Sequence, residues 1–159
     1  MNIRKYESRK THQVWGSGHG SPSLMILASL IVNTIALLVV IIVNTTVVDD
    51  GSNDYGQGFG WTIMTPAPAA GILWALLDVV VVRISVLHPI YYLTEASILM
   101  VFNLVMGAMS ISFYSWDSDG SWVPGIFVLI SGVVYLAIMV ISAVLVHKRK
   151  TRPQQIYTA

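Results

Sequence analysis

Asp78 stands in the middle of "GILWALLDVVVVRISVLHP", residues 71–89, with Arg83 five positions further on. An acid in so apolar a run has few chemical uses. It relays a proton or an ion, it pairs with a cation, or it pins one helix to another by hydrogen bonds. At the centre of a membrane helix a carboxylate costs about 2.5–3.5 kcal/mol even on the lenient insertion scales, so it needs a reason to be there. Glu95 is the next acid along the chain, and His88 sits beside Pro89. His12, His19 and His147 are scattered, and no two histidines have metal-ligand spacing. The chain has no cysteine, which excludes thiolate chemistry, disulfides and palmitoylation. "DSDG" at 117–120 has the start of a calcium loop but neither its later ligands nor its bidentate Glu, and reads as a turn. "NTT" at 44–46 is a formal glycosylation sequon, but it abuts an apolar run so closely that no modification is expected. No Ser/His/Asp set, phosphate-binding loop or intramembrane pair of carboxylates emerges. The expectation is a protein that is not an enzyme, with no cofactor, no metal and no nucleic-acid partner.

The elements that must position these residues are membrane helices. Only 11% of the 159 residues are charged, 55% are hydrophobic, and the mean hydropathy is +0.69. A soluble domain carries roughly a quarter charged residues, so the deficit points to an integral membrane protein. Four apolar runs, about 24–43, 63–87, 93–114 and 123–146, each reach the ~20 residues that span a bilayer core. The first is too long for a signal-peptide core and no small-residue cleavage site closes it, so it is expected to be a retained helix. The fold class is therefore all-α, a four-helix transmembrane bundle.

Charge orients it. Arg4, Lys5, Arg9 and Lys10 precede the first run, Arg83 lies near the second turn, and Lys148, Arg149, Lys150 and Arg152 follow the fourth run. The loops on the other side carry Asp49, Asp50, Asp54, Asp117 and Asp119 with no Lys or Arg. The positive-inside rule then places both termini in the cytoplasm, in a plasma membrane or an endomembrane. The organisation is a basic N-tail over 1–21, a four-span domain over 22–147 and a basic C-tail over 148–159, both tails being polar and expected to be mobile. Lys and Arg beside a span are attracted to anionic inner-leaflet lipid. Tyr55, Trp61, Trp116 and Trp122 suit the outer interface, and Tyr91 and Tyr92 the inner one. "TPAP" at 65–68 fits a first helical turn, and Pro89 ends the second helix or begins the third.

Each run carries a stripe of small and polar residues. These are Ser29, Asn33 and Ala36 in the first, and Ala67, Gly71, Ala75 and Asp78 in the second. The third has Ala96, Asn103, Gly107 and Ser110, and the fourth Gly132, Tyr135 and Ser142. Lipid satisfies neither amides nor hydroxyls, so these stripes are expected to face one another. Asp78 and Arg83 are separated by about 140° around a helix and so do not pair. Asp78 instead continues the Gly71–Ala75 face, near Ser29 and Ser142. A packing role is expected for it, with a relay acid as the alternative. Glu95 is expected just inside the third helix, paired with Arg83 or with a tail. Asn33 and Asn103 are expected to cross-link helices near the midplane.

Four spans, a Gly/Asp-rich first outer loop, the acid of "LWALLD" at 73–78 and a turn running from Arg83 to "HP" at 88–89 resemble small fungal MARVEL-like tetraspan proteins. The resemblance covers roughly residues 22–147. Where the relatives often open the third helix with an Asp-Leu pair, this chain has "LTEASIL", with Glu95 as the acid. Claudins and true tetraspanins are disfavoured, because their outer-loop cysteines have no counterpart. The resemblance implies a non-catalytic, membrane-organising role in lateral microdomains, trafficking or membrane apposition, with self-association or binding to lipids and membrane proteins. The alternative is a small channel, or an accessory subunit of a transporter or membrane enzyme, with Asp78 facing a polar pathway.

Overall fold

The computed structural model describes Thr11, Trp15 and residues 21–48, 59–115 and 120–151. Helix α1 runs over Pro22–Val43 and continues as a π-helical turn, Asn44–Val48. Two short turns, α2 (Phe59–Met64), lead through Thr65 into α3 (Pro66–Ile84). Backbone bonds from Thr65 to Trp61 and from Ala69 to Thr65 carry the helix across the junction, so one 26-residue span bends at Pro66, which lacks the donor. It therefore starts at Phe59, earlier than the apolar run suggests. Helix α4 covers Pro89–Tyr114 and α5 covers Val123–Thr151.

Pro89 resolves as the first residue of α4. His88 before it is extended, as a pre-proline residue must be, and its Nδ1 accepts from the Ile90 amide. This early start moves Glu95 out of the first turn, where the helix dipole would have favoured it, and into the body of α4. At the opposite end Gly120, with φ +90°, supplies the left-handed residue that the tight turn into α5 requires.

All four spans, each 26 residues or about 39 Å at 1.5 Å per residue, are long and apolar enough to cross a membrane. The chain is an all-α, four-helix bundle with the character of an integral membrane protein. Helix α5 packs most extensively on α4, and α1 lies against both α3 and α5. Helices α3 and α4 are consecutive in sequence yet meet sparsely. Every residue of the four small-and-polar stripes is buried, while Leu24, Ile31, Leu73, Leu77, Ile98 and Val133 project outward.

The register is regular. Asn33 of α1 meets Gly71 of α3 and bonds to Tyr135 of α5. Seven residues, roughly 10.5 Å, return to nearly the same helix face. One such step leads to Val40, Met64 and Val128, each 0% exposed, of which Val40 and Met64 pack with Tyr114. The opposite step, toward the end where α1 begins and α5 finishes, leads to Ile26, Asp78 and Ser142, all buried.

Candidate functional site

Buried polar residues run along the bundle, and some are joined across helices around Asn33 and Asp78. Asn33 donates from Nδ2 to the Ser29 carbonyl (2.7 Å) and to the Tyr135 hydroxyl (2.9 Å). Gly71 makes room for it, since a Cβ there would collide with the Asn33 amide. Ser29 donates to the Ile26 carbonyl at 2.9 Å and lies close to the Tyr92 and Tyr135 hydroxyls. Asn33 thus cross-links α1 to α5 as expected. Asn103 does not cross-link, because its Nδ2 bonds back to Leu99 of its own helix at 2.8 Å.

Asp78 is 1% exposed and Glu95 6% exposed, and their carboxyls lie within hydrogen-bonding reach of each other across the α3–α4 seam. Two corrections follow. The bundle does contain an intramembrane pair of carboxylates, and Glu95 does not pair with Arg83. Arg83 is exposed on another face of α3, and no ion pair joins the two. Ionised carboxylates only accept, so this contact becomes a hydrogen bond when the pair shares a proton. Without that proton, Asp78 Oδ1, Asp78 Oδ2 and Glu95 Oε2 have no donor.

Three features surround the pair. Toward the near end of the bundle, Trp15 donates from Nε1 to the Leu87 carbonyl (2.7 Å) and meets the Tyr92 ring edge-on, with centroids 5.9 Å apart. Beside it, Thr11 donates to the Ser85 carbonyl (3.1 Å) and accepts from the Leu87 amide (3.2 Å). These two N-tail residues are buried, so this part of the tail is docked on the α3–α4 turn and is not free. Toward the far end stands the Val40–Met64–Tyr114 cluster. On the outer face, Trp74 donates from Nε1 to the Tyr91 hydroxyl at 3.1 Å, bridging α3 and α4 with both rings exposed. Tyr92, by contrast, is buried in the core, so of the Tyr91–Tyr92 pair only Tyr91 faces outward.

The sequence missed Thr11, Trp15 and the partnership of Glu95. A signal for the last was present. With α4 beginning at Pro89, Tyr92, Glu95, Ala96, Leu99 and Asn103 fall on one buried face. Lys148 is exposed at the end of α5, and Arg149 and Lys150 extend that helix. Arg4, Lys5, Arg9, Lys10, Arg152, His12, His19, Tyr55, Trp116 and the five loop aspartates lie outside the described residues. Asn44 is 0% exposed in the π-helical turn and packs on Gly60, which leaves its amide no access to a modifying enzyme. Among the described residues no three His, Cys, Asp or Glu side chains gather into a metal-holding group.

None of the protein-family models, curated proteins or solved structures compared with the chain matches it.

Proposed function

We propose that this chain is a non-catalytic, membrane-organising tetraspan of MARVEL-like character. In this role it self-associates and binds membrane proteins, with both termini in the cytoplasm and its basic tails on anionic inner-leaflet lipid. The observation that carries the proposal is the apolar cluster of Val40, Met64 and Tyr114, from α1, α2 and α4, each 0% exposed. With the Trp15–Leu87 contact at the near end, it places packed apolar side chains on both sides of the acid pair along the bundle. What remains outward is an apolar surface suited to lateral contacts.

The channel or accessory-subunit alternative is favoured by one observation, the buried Asp78–Glu95 pair, since intramembrane acids mark ion and proton pathways. Reconstitution into liposomes separates the two. The organising role is expected to give stable oligomers by native mass spectrometry, retention on anionic vesicles and no proton or sodium flux. Flux that Asp78→Asn abolishes would replace it with the alternative. Protease access to "KRKTR" at 148–152 from the outside of intact cells would overturn the orientation.

A further inference from the structure

The acid pair has an unusual chemical balance. Three carboxylate oxygens without donors, Asp78 Oδ1, Asp78 Oδ2 and Glu95 Oε2, belong to two buried acids that meet across one seam. Acceptors in a low-dielectric interior call for donors, and two carboxylates call for positive charge. The chain's own spans do not supply it, because their basic residues, Arg83, His147 and Lys148, all stand at span ends. A hard divalent cation wants six or more oxygen ligands, more than this seam gathers. An alkylammonium brings three donors, which matches the three vacant oxygens.

The direction of approach is also constrained. Trp15 and Leu87 pack at the near end, and the Val40–Met64–Tyr114 cluster packs at the far one. Helices α3 and α4 meet sparsely, and the rings bridging their outer face, Trp74 and Tyr91, offer π-surfaces that attract cations. Both acids lie six residues inside the ends of their helices, about 9 Å below the interface. A phospholipid amine at that depth would drag its phosphate into hydrocarbon, whereas a lysine on a membrane-spanning helix arrives there on an apolar stem.

We infer that the Asp78–Glu95 pair is the docking point for a lysine ammonium on a partner protein's transmembrane helix, entering from the bilayer through the α3–α4 seam past Trp74 and Tyr91. This deepens the proposed partner-binding role and rests on it. Self-association and lipid retention are measured without any peptide, so failure of that role is distinguishable from failure of this site.

The test uses the full chain in neutral-lipid nanodiscs and a fluorescent single-span Leu/Ala peptide with one lysine six residues from an end. Matched peptides carry norleucine or glutamine instead. By energy transfer, the lysine peptide is expected to associate about tenfold more tightly than the norleucine peptide. The double variant Asp78→Asn/Glu95→Gln is expected to lose most of that preference. Equal association of the lysine and norleucine peptides overturns the inference, and so does a lysine preference that survives the double variant. Acid-dependent binding of dodecylammonium without any lysine preference also overturns it, by making the ligand a free amphiphile. Should the double variant fail to fold, the peptide series on the unaltered chain decides alone.

Discussion

Between α4 and α5 the chain lays backbone against backbone. A Cβ at Gly125 would stand 2.7 Å from Ile111 Cγ1 and 3.0 Å from the Gly107 carbonyl oxygen, and one at Gly107 would stand 2.8 Å from Leu129 Cγ. Between α3 and α4, equally adjacent in sequence, the contacts are sparse and two acids face each other. In lipid, apolar side chains gain little by leaving the solvent for one another, so close packing of small residues does most of the work of association. The α4–α5 contact uses that rule fully. The α3–α4 seam ignores it and holds polar groups whose desolvation opposes folding. A bundle that needed only stability would build both contacts from the same material. The asymmetry shows where stability resides and where a binding site is free to exist.

The comparison breaks most decisively at Gly125. Gly125→Val forces atoms into the facing backbone, and overpacking of this kind costs about 1–3 kcal/mol. The melting temperature in detergent is expected to fall sharply. Gly132→Ala, whose new methyl meets chiefly the movable Leu104 side chain, is expected to fall much less. Equal losses for the two would show that backbone proximity is not what secures this pair.

Next in size is Trp15→Phe, which keeps most of the ring but removes the bond to the Leu87 carbonyl. The loss is expected to be about 1 kcal/mol, accompanied by faster proteolysis of the N-tail. Tyr135→Phe is smaller still. It removes the Asn33 bond joining α1 to α5 and is expected to cost about 0.6 kcal/mol, as interhelical bonds in membranes do on average. The smallest effect is expected at the seam. Asp78→Asn keeps the shape and adds a donor toward Glu95, so thermal stability is expected to change by less than about 0.5 kcal/mol. A large drop on Asp78→Asn would make the seam a structural keystone and erase the contrast with α4–α5.

Much of the site's frame was legible in the residues. The stripes Ser29–Asn33–Ala36 and Ala67–Gly71–Ala75–Asp78 announced their buried faces, because only protein partners satisfy amides and acids inside a membrane. Asn33 found its partner on another helix, whereas Asn103 turned to its own Leu99 carbonyl. Local bonding competes with cross-linking on equal terms, and spacing alone does not choose between them. Glu95 was misplaced for a boundary reason. A helix starting at residue 93 puts it in the first turn, and one starting at Pro89 puts it on the buried face.

Span number, helical class, the burial of Asp78 and the separation of Arg83 from it follow from the sequence, since helical periodicity and the cost of polar groups in hydrocarbon act along a single chain. Which helices touch closely, that α3 and α4 barely do, that Asp78 faces Glu95, and that Trp15 returns to cap the turn at Leu87 were decided by the tertiary structure. These depend on the relative rotation and register of four helices. Nothing in one helix encodes its neighbour's angle, and the Asn33–Gly71 and Asn33–Tyr135 contacts that set the register exist only once the helices have met.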